Sequence, residues 1–280
     1  MFDLAVISGK GGTGKTLVAT TLSAYLKWDY IDCDVEAPNG SYLMDPTWEA
    51  TYDVAMPMPK IDATKCNRCG ACLRFCRFHA LALSLKEPIL FQELCHGCMG
   101  CVSVCDQGAI KRSARKIGVA RQGKTKNQRV WEGCLDLSEP IAPPVIQGVK
   151  LLSKNGSGRV LDGPPGASCN LIETLKGIDY ALLVAEPTRF GIHDFKATVE
   201  VLKRLGIPAG VVINRSFGDE EGLRAYIQRK GLSLLGSIPF SERIAYAYSQ
   251  GDFEVLMAEM KPYLDQWAEI ILDAGRRASS

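Results

Sequence analysis

Apolar residues in this chain fall into short continuous runs separated by longer stretches of helical periodicity. Leu4-Ala5-Val6-Ile7 predicts a buried strand over about 2–8, and the pattern after it predicts a helix over about 15–27. Tyr30-Ile31-Asp32-Cys33-Asp34 reads as a second short strand that ends in acid. A strand leads into Asp162, and apolar strands are expected near 180–185, 209–213 and 232–236. Helical periodicity covers about 143–154, stopping at Asn155-Gly156, then about 189–205 and 219–230, with more helix in the tail. Strands alternating with helices predict an α/β fold, a doubly wound and mostly parallel sheet.

One region breaks the alternation. Met56-Pro57-Met58-Pro59 loses periodicity and marks a boundary, so the chain divides into a discontinuous domain, 1–59 and 135–280, and an insert, 60–134. The insert holds eight of the eleven cysteines in two copies of one spacing. These are Cys66-x2-Cys69-x2-Cys72-x3-Cys76 and Cys95-x2-Cys98-x2-Cys101-x3-Cys105. The runs repeat 29 residues apart, and Phe78-His79-Ala80-Leu81 answers Gln107-Gly108-Ala109-Ile110. Beyond them, Ile117–Arg121 and Gln128–Trp131 alternate about a Gly123–Asn127 turn and predict a hairpin that closes the insert.

The cysteine spacing is that of a bacterial ferredoxin with two [4Fe–4S] clusters, in which the last cysteine of each run serves the other cluster. By that rule Cys66, Cys69, Cys72 and Cys105 hold one cluster, and Cys95, Cys98, Cys101 and Cys76 the second. Zinc is the sober alternative, but it needs only four of these thiolates, and x2-x2-x3 is a poor zinc pattern. Disulfide scaffolds are short and do not alternate strands with helices. Arg77 and Asp106 stand where a ferredoxin usually has proline, which puts a charge beside each cluster. His79 and His96 read as packing residues, because the thiolates already complete two clusters.

Gly9-Lys10-Gly11-Gly12-Thr13-Gly14-Lys15-Thr16 follows an apolar strand and opens a helix, the context of a phosphate-binding loop. Glycines let backbone N–H groups turn toward phosphate, and the helix N-terminus adds its dipole. Lys15 is expected at the β- and γ-phosphates, and Thr16 on Mg²⁺.

With Lys10, the loop resembles the deviant Walker A group: MinD and ParA ATPases, Mrp-type iron–sulfur carriers and the nitrogenase iron protein. The resemblance implies an ATP-sandwich homodimer in which Lys10 reaches the partner's phosphates; a solvated surface lysine is the plainer alternative. It implies a switch I aspartate at Asp34 that orients water, with Asp32 and Asn39 as weaker candidates. Leu161-Asp162-Gly163-Pro164-Pro165-Gly166 resembles the second switch, with Asp162 beside Mg²⁺ and the Gly166 N–H near the γ-phosphate. Val212-Ile213-Asn214-Arg215 resembles the adenine-reading segment, with Pro239 and Phe240 in the following loop, although Asn214 could instead cap a strand. Taken together with Glu186-Pro187-Thr188, the chain resembles MinD-superfamily ATPases that carry an inserted ferredoxin domain.

Composition changes the picture only at its edges. At 280 residues and 46% apolar, one substantial core plus a small unit is affordable. The formal charge of +2 falls to about −2 once two clusters, each carrying roughly two negative charges, are added. No apolar run approaches the ~20 residues a bilayer needs. With no basic leader before the first strand, a cytoplasmic protein with no membrane or nucleic-acid partner is expected.

Three weaker signals remain. Cys134 and Cys169 stand at offsets from Asp162 similar to those of the two cysteines that bridge a cluster across the nitrogenase iron protein dimer; small buried apolar residues are the alternative. Lys111 to Arg129 holds eight basic residues and no acid, either a solvated hairpin or a dock for an acidic partner. In the tail, Tyr263, Leu264, Trp267, Ile270 and Ile271 share a helical face, favoured to pack on the sheet rather than on lipid.

The expected function is an ATP hydrolase that couples Mg-ATP to electron transfer through two [4Fe–4S] clusters toward an acceptor protein. Lys10, Lys15, Asp34 and Asp162 are the expected catalytic residues. An ATP-dependent iron–sulfur or metal-cluster assembly factor is the alternative, and a positioning ATPase with redox-sensing clusters a third.

Overall fold

The computed structural model describes residues 2–84, 88–154, 158–218 and 220–278. Its strands, in chain order, are β1 (Phe2–Ser8), β2 (Asp29–Asp32), β3 (Thr47–Ile61), β4 (Leu81–Leu83), β5 (Pro88–Leu90) and β6 (Ile110–Lys124). They continue with β7 (Arg129–Leu135), β8 (Gly158–Asp162), β9 (Tyr180–Ala185), β10 (Ala209–Ser216) and β11 (Ser233–Pro239). Nine of these form one sheet in the order β11-β10-β9-β1-β8-β2-β7-β6-β3. Every pairing from β11 to β7 is parallel, and β6 and β3 extend the sheet antiparallel.

The central strands are apolar on both faces because helices cover both. On β1, Leu4 and Val6 point into one core with Val18 and Leu22 of the helix Lys15–Leu26. Ala5 and Ile7 point into the other, with Val145, Ile146, Phe195 and Leu202. The tail helix Phe253–Ala278 lays Leu256, Met260, Leu264, Trp267 and Ile271 into the first core, all with no exposed surface. Each buried aliphatic of that stripe contributes about 1.5–3 kcal/mol, which settles the tail on the sheet. Ile270, expected on that face, is instead 38% exposed. No helix among the described residues is long and apolar enough to cross a membrane.

The insert joins the sheet differently from expectation. Met56-Pro57-Met58-Pro59 is no break but lies within β3, toward its carboxyl end, and β3 pairs with β6 from Thr47↔Lys124 to Ile61↔Ile110. The hairpin expected to close the insert is β6 and β7, and β7 pairs in parallel with β2 inside the main sheet. The expected boundaries at 59/60 and 134/135 therefore fall within strands. What projects from the sheet is the shorter unit between Ile61 and Ile110.

In that unit the sequence repeat is a structural repeat. Single turns at Ala63–Lys65 and Gln92–Leu94 precede short helices at Ala71–Phe75 and Gly100–Ser103. The pair Leu81↔Leu90 of the β4–β5 hairpin answers Ile110↔Ile61 at the far end of the β3–β6 ribbon, at the same 29-residue spacing. One copy of the repeat thus takes its two strands from the ribbon itself.

The basic stretch is largely neutralised by acids that neighbouring strands and the turn after β7 supply. Lys116 pairs with Asp53, Lys124 with Glu49, Arg121 with Glu132, Arg129 with Asp29 and Arg115 with Glu139. Linear sequence hides this, because cross-strand partners are distant along the chain. The expected stop of the helix Pro143–Leu152 at Asn155-Gly156 lies outside the described residues.

Candidate functional site

β1 has later strands on both sides, so its carboxyl end opens the crevice in which parallel α/β sheets bind ligands. Gly9 through Gly14 turn there. Gly12 and Gly14 take φ of 79° and 87°, the left-handed region that favours glycine. Gly14 caps the helix that starts at Lys15, and a Cβ on it would stand 2.2 Å from the Asn214 side-chain nitrogen. Gly9 is needed for another reason: a Cβ there would meet the backbone of Asp194 and Phe195 at 2.4 Å.

A cleft of about 620 Å³ lies over the loop, lined by Lys15, Thr16, Asp34, Asn39, Pro165 and Ser168 among others. It adjoins a cavity of about 180 Å³ lined by Asn214, Pro239, Phe240, Ile244 and Tyr248. Gly12, Gly14 and Tyr248 border both. A polar half beside an apolar half matches what a phosphate chain and a planar base require.

Three acids surround Lys15. Its ammonium is 2.5 Å from Asp162 and 3.8 Å from Asp34, and Asp32 lies in register with Asp162 on the next strand. Burial works against this ammonium, and the charges of Asp162, Asp32 and Asp34 outweigh it, so its pKa is raised. Burial and then the neighbouring Asp162 push Asp32 up to about 8. Burial likewise raises Asp34 to about 6, with Lys15 opposing. Such a surplus of acid suits a divalent cation. No three His, Cys, Asp or Glu groups among the described residues converge tightly enough to hold one metal ion by themselves. Mg²⁺ keeps waters and takes phosphate oxygens, so a site completed by nucleotide needs few protein ligands.

Asp32, a weaker candidate from sequence, is the better-organised acid. It accepts N–H bonds from Asp34, Asn39 and Gly40, and the Tyr30 hydroxyl reaches it at 3.2 Å. Asn39 contributes through its backbone, since its side chain donates to the Ala37 carbonyl. Tyr30 was not anticipated; its neighbours show why it fits, because Gly40 leaves room where a Cβ would stand 2.1 Å from the hydroxyl.

Several loop groups are engaged within the chain. Lys10 forms an ion pair with Glu186 at 2.7 Å and donates to Thr188 at 3.3 Å, so the expected reach to a partner begins from a folded-back position. The Gly166 N–H donates to the Ser8 carbonyl at 3.0 Å rather than facing the cleft. The Asn214 amide donates to the Thr13 carbonyl at 2.7 Å.

In the projecting unit, Cys66, Cys69, Cys72 and Cys105 line one cavity, and Cys76, Cys95, Cys98 and Cys101 line another. Each set takes three thiols from one run and one from the other. The donor chemistry and number fit [4Fe–4S] clusters. Burial, then Cys95 and Cys98, raises the Cys101 thiol to about 11, so that thiol needs a bound cation to ionise near neutral pH.

His96 stacks on Phe78 with ring centres 3.8 Å apart, and His79 is exposed. Neither is among the residues lining the first cavity, and His96 borders the second through its ring stack. Cys134 and Cys169 are both free thiols. The Cys134 thiol donates to Glu132 at 3.1 Å, and burial followed by that carboxylate raises it to about 12. Cys169 sits exposed at the first turn of Cys169–Leu175.

Comparison with known proteins agrees with this geometry. Residues 4–255 match the family model described as the CobQ/CobB/MinD/ParA nucleotide binding domain. An uncharacterized protein of Methanocaldococcus jannaschii is 29% identical over 279 residues, covering 97% of this chain and 98% of the relative. The iron–sulfur cluster carrier protein of Pyrococcus horikoshii is 25% identical over 292 residues, covering 96% of this chain and 84% of the relative. Among solved structures, MinD from Pyrococcus horikoshii complexed with Mg-ADP superposes with a TM-score of 0.54 at 18% identity, covering 96% of this chain and 98% of that one. That level of identity speaks for the fold alone. By the extent of the family match, the chain belongs to the CobQ/CobB/MinD/ParA nucleotide-binding family.

Proposed function

We propose that this MinD/ParA-family ATPase couples Mg-ATP binding and hydrolysis to electron transfer through two resident [4Fe–4S] clusters toward a partner protein. The observation that carries the reading is the pair of four-cysteine cavities, each completed by the other run's last cysteine, on a unit rooted in the nucleotide-binding sheet. Cys66, Cys69, Cys72 and Cys105 would hold one group; Cys76, Cys95, Cys98 and Cys101 would hold the other. The clusters would supply one-electron storage at moderate reorganisation, the chemistry that four thiolate-bound irons offer.

The chain's own residues supply the rest. Lys15 would stabilise the charge of the transferring phosphoryl group, Thr16 and Asp162 would hold Mg²⁺, and Asp34 would orient the attacking water. Lys10 adds charge from the second subunit of an ATP-bound homodimer. Asn214 and Pro239 border the base, and the Gly9–Thr16 loop offers backbone N–H groups to phosphate, with Gly166 joining only once its N–H leaves the Ser8 carbonyl. In the second set Cys95 and Cys101 are buried and Cys98 is exposed, and the cavity's wall includes Pro59 of β3, so that group would be rooted in the ribbon on its inner side.

The test is an anaerobic EPR titration with and without Mg-ATP. A nucleotide-dependent shift of ~60 mV, tenfold in equilibrium for one electron, is expected. Potentials indifferent to nucleotide would sink the electron-transfer reading. The second reading, cluster assembly or delivery, is favoured by the Pyrococcus relatives that carry the name iron–sulfur cluster carrier protein. It predicts transfer of iron and sulfide to an apo-ferredoxin on ATP addition, with no redox requirement.

A further inference from the structure

We infer that Glu132 is a positioning residue that ties the switch I segment to the cluster-bearing ribbon, so that the nucleotide site and the ribbon move as linked parts. The register supplies the first ground. Asp162 on β8, Asp32 on β2, Glu132 on β7 and Arg121 on β6 occupy one row across the sheet, each paired with the next. The row begins at the Lys15 ammonium and ends on the strand that forms half of the ribbon.

The contacts supply the second. Glu132 is only 1% exposed, yet it receives three donors from three pieces of the chain. Ser41, in the short helix after switch I, donates its hydroxyl at 2.5 Å. Arg121 of β6 donates its guanidinium, and the Cys134 thiol donates at 3.1 Å. A buried carboxylate is expensive to keep, and removing one of its partners is strongly destabilising, so its partners are held together through it. Here it fixes how the Gly40–Met44 helix sits against β6.

The third ground is what must change at the other end of switch I. Lys15 now faces Asp162 and Asp34, and Asp32 holds the N–H groups of Asp34, Asn39 and Gly40. Phosphate would draw Lys15 away from these acids, so Asp34, at the head of the segment that Asp32 holds, would lose the cation it faces at 3.8 Å. Ser41 directly follows that segment, and its partner is Glu132. Arg121 carries the change outward, with its guanidinium 4.5 Å over the Trp48 ring of β3. Coupling of this kind needs an element with two arrangements, and the segment from Asp34 to Met44 is that element.

This assignment deepens the proposed coupling and rests on it for its purpose, but its test reads backbone exchange and needs no redox signal. Hydrogen exchange of the full-length protein is followed with and without Mg²⁺ and a non-hydrolysable ATP analogue, in wild type, Ser41→Ala and Glu132→Gln. Ser41→Ala leaves the Glu132–Arg121 pair intact and guards against simple misfolding. In wild type the analogue should change exchange both at the Gly9–Thr16 loop and along Thr47–Ile61 and Ile110–Lys124. In both variants the loop should still respond and the ribbon should not. A wild-type ribbon blind to nucleotide, or a ribbon response unchanged in both variants, overturns the inference. Loss of the EPR shift with an intact ribbon response would instead count against the electron-transfer reading alone.

Discussion

Asp32 and Asp162 lie side by side on adjacent parallel strands, and the one Tyr30 hydroxyl contacts both, at 3.2 and 2.9 Å. One phenolic hydrogen cannot serve two ionised carboxylates, and a proton on Asp32 relieves the conflict. Its pKa of about 8, raised by burial and then by Asp162, says the same.

This pair predicts an unusual pH dependence for the nucleotide-free protein. Because the folded-state pKa of Asp32 is raised from 3.8 to about 8, the folded protein binds more protons than the unfolded chain between those values. The stability this group contributes is full below about 4 and is lost as pH rises through about 8. Thermal melts should fall in Tm across that window, and Asp32→Asn should flatten the slope. Parallel slopes for the two proteins would remove Asp32 as the cause.

At Gly14, backbone and space agree. Its φ of 87° and the Asn214 nitrogen 2.2 Å from an added Cβ make Gly14→Ala strained twice over. The left-handed residue alone costs about 1–2 kcal/mol, and the clash must displace Asn214 from the loop. Calorimetry should find nucleotide binding lost with the fold retained at a Tm several degrees lower. Gly11→Ala, where an added Cβ meets nothing within 4 Å, should leave the Tm of the nucleotide-free protein unmoved.

The crossed cysteine sets make a sharper prediction than cluster content. Cys76→Ser should disturb the same EPR component as Cys95→Ser, although Cys76 lies in the run of Cys66. Cys105→Ser should pair with Cys66→Ser in the same way. If each variant instead groups with its own run, the crossed assignment fails.

The local motifs were legible from sequence because their chemistry is local. A loop of Gly9 to Thr16 must bend around phosphate wherever it sits, and x2 spacing must wrap one group. The insert's boundaries were not legible. Pro57 and Pro59 read as a break, yet β3 is the outermost strand of the sheet, where a missing N–H breaks no ladder on the unpaired side. The two prolines stand two residues apart, so both lost donors face the same way. The importance of Asp32 over a lone Asp34 was equally hidden, since it depends on register with Asp162 and on Tyr30 packed against Gly40. The neutralised basic stretch failed for a related reason: its acids, Asp29, Glu49, Asp53, Glu132 and Glu139, come from other strands and loops.

Lys10 offers the last prediction. It is held by Glu186 and Thr188 of its own chain, and crossing to a second subunit's phosphates requires breaking that hold. The lysine side chain is 29% exposed, and exposed pairs contribute about 0–1 kcal/mol, so the latch is weak and reversible. Lys10→Ala should bind Mg-ATP as a folded monomer but fail to dimerise and hydrolyse, by light scattering and phosphate release. Glu186→Gln should lower the ATP concentration that drives dimerisation, by no more than about fivefold given that ceiling. Dimerisation of Lys10→Ala at the wild-type ATP concentration would return Lys10 to the status of a surface residue. A rise in the requirement with Glu186→Gln would mean that Glu186 aims Lys10 at the partner rather than restraining it.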